Sequence, residues 1–312
     1  MNKTLVISPA PHFKSGLKTS RIMLEVILAL IPAIAAAIYF FGWRSVWLIV
    51  TCVVSCTATE AIFEKTRGMK NTLPDYSAVL TGILLALVLP PAIPLWAAAL
   101  GGIISICLAK QLFGGLGYNI FNPALIGRAF LTASFPAMMT AWINPFSLDT
   151  ITSATPLGLM KFSGIETSLK SLFFGNVGGC LGETSALALL IGGIYLIIRK
   201  LVKWRVVAGF LGSVFIFSLA AWIIKPQLGS PLFHLLSGGI MIGAFFMATD
   251  PVTSPVTKKG CFMFGAGAGI MVMVIRIFGG LPEGVMYSIL LMNGVTPLIN
   301  KFTVPRPFGG QK

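Results

Sequence analysis

Ten stretches of this chain are too apolar to be left in water, and that pattern limits the fold more than any motif does. They fall near 22–42, 45–63, 77–90, 94–112, 123–142, 185–198, 206–224, 232–249, 262–279 and 283–300. A helix needs about 20 apolar residues to cross the hydrocarbon core, so most of these runs are long enough to span. Only 10% of the residues are charged, against roughly 25% in soluble domains, and the mean hydropathy is +0.89. The expected fold is therefore an all-α polytopic membrane protein of about ten transmembrane helices. The third stretch is short and stops at Pro90-Pro91. It reads as a broken or re-entrant segment, which a bilayer tolerates only when protein surrounds it.

These runs divide the chain into an N-terminal segment (1–21), a first membrane half (22–142), a long loop (143–184), a second membrane half (185–300) and a tail (301–312). The basic start followed by an apolar run has the look of a signal peptide. The run from Ile22 to Phe41 is too long for one, however, and Tyr39, Phe40, Phe41 and Trp43 mark a membrane interface. A retained first helix is expected.

The formal net charge of +14 could suit nucleic acid, since phosphate neutralisation drives such binding. The distribution of the cations argues against it, because Lys and Arg sit in short clusters between apolar runs. With both ends in the cytoplasm, seventeen of the 23 cations fall on that side, in clusters such as Lys14, Lys18 and Arg21, Lys65, Arg67 and Lys70, Lys110, and Arg199 to Arg205. Five fall outside (Arg44, Lys161, Lys170, Lys225, Arg276), and Arg128 is left at a helix start. That asymmetry is how a multi-pass protein of the cell (inner) membrane fixes its orientation, and it makes 143–184 the one large extracytoplasmic segment.

The five cysteines, Cys52, Cys56, Cys107, Cys180 and Cys261, include no C-x2-C pair, so neither a metal site nor an iron–sulfur cluster held by this chain alone is expected. His12 and His234 are too far apart in sequence to suggest a metal by spacing. Hydrolase and P-loop signatures are lacking as well.

Ionisable groups inside spans are costly and are default candidates for an ion path. Glu25 and Glu60 lie in the first two spans, Asp250 ends the eighth, Glu283 opens the tenth and Arg128 opens the fifth. Asp250 stands in ATDPVTSP, where Pro251 and Pro255 deny the backbone a helix and free carbonyls to join the carboxylate around a cation. A carboxylate capping an interface or paired with Lys258 is the plainer alternative. A further pattern is the echo between PLWAAALGGI (94–103) and PLFHLLSGGI (231–240). It suits either two repeated halves, as in many transporters, or chance.

The long loop carries Asp149, Thr152, Ser153, Ala154 and Thr155 in the spacing D-x-x-[ST]-[GS]-A-T. This resembles the recognition motif of the periplasmic flavin transferase, which takes FMN from FAD and joins its phosphate to the last threonine; Ser153 stands where glycine is commoner. A threonine hydroxyl is a poor nucleophile unaided, so a separate enzyme has to activate it.

Beyond the motif, SPAPHFKSGLKTSRIMLEVILALIPA at the start, GGLGYNIFNPALIGRAF (114–130), GNVGGCLGETSALALLIGG (175–193), FMATDPV and LPEGVMYSILLMNGVTPLINKFTVPRPFG occur in order from residue 8 to residue 310. Together they resemble the RnfD/NqrB family, most closely the D subunit of the Rnf ion-translocating oxidoreductase complex. The resemblance implies covalent FMN on Thr155 and a second, noncovalent riboflavin near the cytoplasmic side. Asn119 and Asn122 are the candidates to meet it, with Gly114, Gly115 and Gly117 allowing close backbone approach. Both asparagines could instead cap the helix that begins at Pro123.

The expected function is that of a translocase subunit in a ferredoxin:NAD oxidoreductase complex, passing electrons from FMN toward riboflavin with Na+ or H+ transport. Expected partners are the iron–sulfur and FMN-carrying subunits and the flavin transferase, with no nucleic acid. The rivals are the B subunit of a Na+-pumping NADH:quinone reductase, a non-redox channel or solute transporter, and an inert scaffold for other subunits. Only about 21 residues precede the first span, which favours the Rnf side.

Overall fold

The computed structural model describes residues 18–68, 72–145 and 155–304. Asp149, Thr152, Ser153, Ala154 and His12 lie outside the described residues. In chain order the main elements are α1 (Thr19–Phe41), α2 (Trp43–Arg67), α3 (Ser77–Leu87), α4 (Leu95–Ile106), α5 (Pro123–Ser134), α6 (Ala186–Ile198), α7 (Trp204–Ile224), α8 (Pro231–Leu236), α9 (Ile240–Ile242), α10 (Lys258–Phe278) and α11 (Val285–Thr303). Short turns of helix fill the connections, and the described residues contain no strand. The chain is an all-helical membrane protein. Helix is present in each of the ten apolar stretches. By length and apolarity α1, α2, α7 and α10 can each cross a bilayer alone, and Pro226–Leu236 with Ile240–Met247 forms a pair bent by 47°. The remaining helices are shorter or less apolar.

Local chemistry sets the helix ends. Gly42 adopts φ +65°, donates to Ile38 O at 2.8 Å and turns the chain straight from α1 into α2. At the other end of α2, Lys65 and Arg67 sit in the last turn before Gly68, also left-handed, where cations favour the helix dipole. α5 stops at Ser134, short of the 142 expected from hydropathy, because Pro136 follows and Phe135 leaves the helical region.

The broken third span is satisfied from an unexpected direction. After α3 the chain reaches Pro90-Pro91 and cannot continue the helix, which leaves carbonyls of its last turn without helical partners. Leu87 O accepts from Gly182 N at 2.6 Å, and Leu89 O accepts from Leu181 N at 3.2 Å. The end of the long loop thus dips inward and is buried from Leu181 to Thr184, meeting the requirement that backbone away from water be paired.

α7 and α10 run parallel with their backbones in near contact. A Cβ on Gly265 would lie 2.2 Å from Val206 O, one on Gly209 2.7 Å from Phe262 O, and one on Gly269 2.5 Å from Phe210 O. Small residues four apart allow this approach in membranes, where close packing replaces the hydrophobic drive between helices. Replacing Gly265 with Val is expected to destabilise the folded chain by about 3 kcal/mol through overpacking, read as a lower thermal midpoint in detergent.

The contacts define two sides. The start of α1 meets the end of α6 through Glu25 and Arg199, the residue before α7 reaches Pro255 through Lys203, and the cap of α10 meets the end of α11 through Thr257 and Thr303. We term this the terminal side and the opposite one the far side. Both members of the sequence echo run from the far side and end in a five-residue π-helical stretch, Cys107–Gln111 and Gly243–Met247. They differ at the shared Gly-Gly: Gly101 and Gly102 lie inside α4, whereas Gly238 takes φ +66° and breaks α8 from α9.

Candidate functional site

The structure brings Asn119, Asn122 and Asp250 to one cleft and Thr155 and Glu283 to another. On the terminal side an open-mouthed cleft encloses about 740 Å³, mouth included, between α1, α3, α6 and the π-helical stretches. Its walls are apolar, with Met23, Val26, Leu84, Leu196 and Phe246, and its polar groups are few: Ser77, Thr81, Lys110, Asn119, Asn122, Thr249 and Asp250.

Each polar group has a definite role in the wall. Asn122 caps α5, its Oδ1 accepting from Ala124 N at 3.1 Å and Leu125 N at 3.4 Å, while its Nδ2 donates to Met247 O at 3.3 Å. Asn119 holds its own turn through long bonds, accepting from Gly117 N at 3.4 Å and donating to Phe121 O at 3.3 Å. The cap alternative therefore describes Asn122 and not Asn119. Asp250 accepts from Val252 N at 3.3 Å and Thr253 Oγ1 at 3.2 Å, and no cation lies at ion-pair distance from it among the described residues. Burial in its turn between α9 and α10 raises this carboxyl above the usual range, against those two hydrogen bonds and the charge of Lys203.

Glu60 joins the cleft through a partner. The π-helical turn at the end of α4 carries Lys110 into the interior, where its Nζ donates to Glu60 Oε1 and Ser77 Oγ, both at 2.6 Å. Lys110 is 1% exposed and Glu60 0%, and Glu60 Oε2 has no partner among the described residues. A loop cation by sequence is thus a buried ammonium in the cleft wall. Glu25 stands apart, paired with Arg199 at 2.6 Å and hydrogen-bonded by Tyr195.

The far-side cleft encloses about 540 Å³, mouth included, and Thr155 lines it with Thr140, Trp142, Gly178, Gly179, Glu183 and Glu283. Thr155 is half-buried and caps the short helix Pro156–Gly158, its Oγ1 accepting from Gly158 N at 3.1 Å. Among the described residues no acceptor takes its hydroxyl hydrogen.

Behind the cleft lies a charge cluster drawn from four distant parts of the chain. Arg128 Nη2 donates to Glu283 Oε2 at 2.6 Å, and Arg128 Nη1 reaches Glu183 Oε1 at 3.5 Å. Glu283 Oε1 also accepts from Gly239 N at 3.0 Å. A Cβ at Gly239 would sit 2.7 Å from Glu283 Oε1 and 3.2 Å from Glu183 Oε1, so glycine at the break between α8 and α9 is what lets both carboxylates approach. Sequence reasoning flagged Arg128 and Glu283 separately and passed over Glu183. The signal available for it was an acid amid the small residues of GGCLGETS, flanked by apolar runs.

A polytopic helical bundle with broken spans, a buried ammonium beside one cleft and a threonine lining another defines a multi-pass membrane protein with clefts on both of its sides. The chain belongs to the NQR2, RnfD, RnfE family, whose profile matches residues 6–309. It is 47% identical over 312 residues, 99% of this chain and 96% of the relative, to the D subunit of the Na+-translocating ferredoxin:NAD+ oxidoreductase complex of Acetobacterium woodii. To the D subunit of the proton-translocating ferredoxin:NAD+ oxidoreductase complex of Clostridium ljungdahlii it is 45% identical over 322 residues, covering 98% of this chain and 96% of the relative. The D subunit of the ion-translocating oxidoreductase complex of Escherichia fergusonii is 39% identical over 347 residues, 98% and 99% of the two chains.

Proposed function

We propose that this chain is the D subunit of an ion-translocating ferredoxin:NAD+ oxidoreductase complex, with FMN carried on Thr155 and riboflavin in the terminal-side cleft. The observation that carries the reading is the pairing of two clefts on opposite sides, one fronted by Thr155 and the other by Asn119, Lys110 and Asp250. The terminal side is then cytoplasmic and the far side extracytoplasmic, in the inner membrane. Partners are the iron–sulfur and FMN-carrying subunits, and the flavin transferase acts on Thr155.

The residues fit such groups. Thr155 presents its hydroxyl at a cleft mouth with Trp142 in the wall, and the terminal-side cleft joins apolar walls to amide, hydroxyl and ammonium groups suited to a flavin's polar edge. The flavins would supply one- and two-electron carriage; the protein supplies position and electrostatics. Lys110, paired with Glu60, is the cationic end of that pair in the cleft wall, the end that faces any negative charge arriving there. Asp250, bonded only to neutral donors, is the group free to take a compensating Na+ or H+.

Replacing Asn119 with Leu is expected to strip noncovalent flavin from the purified complex while leaving covalent flavin in place. The Asn122→Leu variant is expected to cost about 1 kcal/mol of stability as a lost helix cap. Acid-extracted flavin and thermal melting separate the two effects, and full riboflavin in Asn119→Leu would remove the cleft assignment. The transporter reading is separated by in-gel fluorescence, since a passive transporter carries no covalent flavin.

A further inference from the structure

A second cleft opens on the far side, apart from the one that Thr155 fronts. It encloses about 890 Å³, mouth included, and Lys161, Lys225, His234 and Arg276 line it, with no Asp or Glu among its wall residues. Three of the five cations expected outside the membrane thus meet at one place, on the side where multi-pass proteins keep few of them.

The charges there are short of counter-ions. Arg276 is 5% exposed and donates to His234 O at 2.8 Å and Ser237 O at 2.9 Å, while its Nε has no partner among the described residues. Lys161 Nζ donates to three carbonyls, those of Arg276, Gly279 and Leu281. His234, also 5% exposed, bonds Leu228 O through Nε2 at 2.8 Å and leaves Nδ1 without a partner. The neighbouring carboxylate, Glu283, is already held by Arg128 and Gly239 N. Among the described residues neither Arg276 nor Lys161 has a carboxylate at ion-pair distance. A buried cation in that condition is costly unless an anion from elsewhere completes it.

The chain around this cleft shows what kind of anion fits. Phe162 follows Lys161 in sequence and is 74% exposed, Ile224 precedes Lys225 at 84%, and Phe278 lies two residues past Arg276 at 77%. A free phosphate has no use for such apolar side chains, whereas an amphiphile covers them. Leu157 and Pro282 line both far-side clefts, so this one adjoins the Thr155 cleft without sharing its threonine.

We infer that this cleft binds the phosphodiester headgroup of an anionic phospholipid of the far-side leaflet, with the acyl chains lying over Phe162, Ile224 and Phe278. Basic pockets among transmembrane helices recognise such headgroups through the summed charge of their Lys and Arg side chains.

The test is native mass spectrometry of the whole complex released from nanodiscs of phosphatidylcholine with and without phosphatidylglycerol. Phosphatidylglycerol is expected to stay bound through exchange into detergent, where phosphatidylcholine does not. In Lys225→Gln, which removes an exposed charge and leaves the core alone, retention is expected to fall roughly fivefold, in keeping with the worth of one surface cation near anionic lipid. Lys161→Gln is expected to lower it again. Equal retention of the two lipids, or unchanged retention in both variants, would overturn the inference. Release of the lipid by millimolar inorganic phosphate would overturn it too, by marking a free-anion site.

Discussion

Arg128→Met is expected to destabilise the folded chain by about 3–5 kcal/mol, the cost of leaving a buried carboxylate without its partner. Arg128 is the one cation at ion-pair distance from Glu183 and Glu283 among the described residues. It also ties together parts of the chain that no local interaction could join: α5, the inward-dipping end of the long loop, the break before α9 and the start of α11. Methionine fills a similar volume but supplies no charge, so Glu183 and Glu283 would have to take up protons or admit water. The measurement is the thermal midpoint of the purified protein in detergent. Combining Arg128→Met with Glu283→Gln is expected to recover part of the loss, because the uncompensated charge goes with it. A midpoint unchanged in Arg128→Met would mean that the carboxylates are neutral in the native protein.

Thr155→Val is expected to remove covalent flavin altogether. The substitution keeps the branched shape and deletes the hydroxyl, the one atom to which a phosphoryl group could be joined. It also deletes the acceptor for Gly158 N, which costs about 1 kcal/mol as a lost cap and leaves the fold intact. In-gel fluorescence after denaturation reads the result: wild-type protein made with the transferase is expected to fluoresce, and Thr155→Val to be dark with unchanged yield. The noncovalent flavin proposed for the terminal-side cleft is expected to remain, since Thr155 lines a different cleft.

The helical layout was legible because a run of apolar residues as long as Ile22 to Phe41 has few alternatives to spanning. Pro90-Pro91 likewise announced the break after α3. Hydropathy could not show how that break is satisfied, since Gly182 N reaches Leu87 O from 95 positions further along the chain. Lys110 was misleading for a related reason: a cation near the end of an apolar run looks like a loop residue, and only the π-helical turn brings it to Glu60. Asp250 and Asn119 were legible singly through their proline- and glycine-rich surroundings, but their sharing of one cleft was not. The Arg128–Glu283 pair joins residues 155 positions apart, and no periodicity or spacing rule reaches that far.

If the chain holds two flavins by different means, as proposed, counting them after acid precipitation separates the two. Purified protein made beside its transferase is predicted to leave one flavin in the pellet, on the peptide that contains Thr155, and to release one riboflavin into the supernatant. A colourless pellet with Thr155 unmodified would contradict the account.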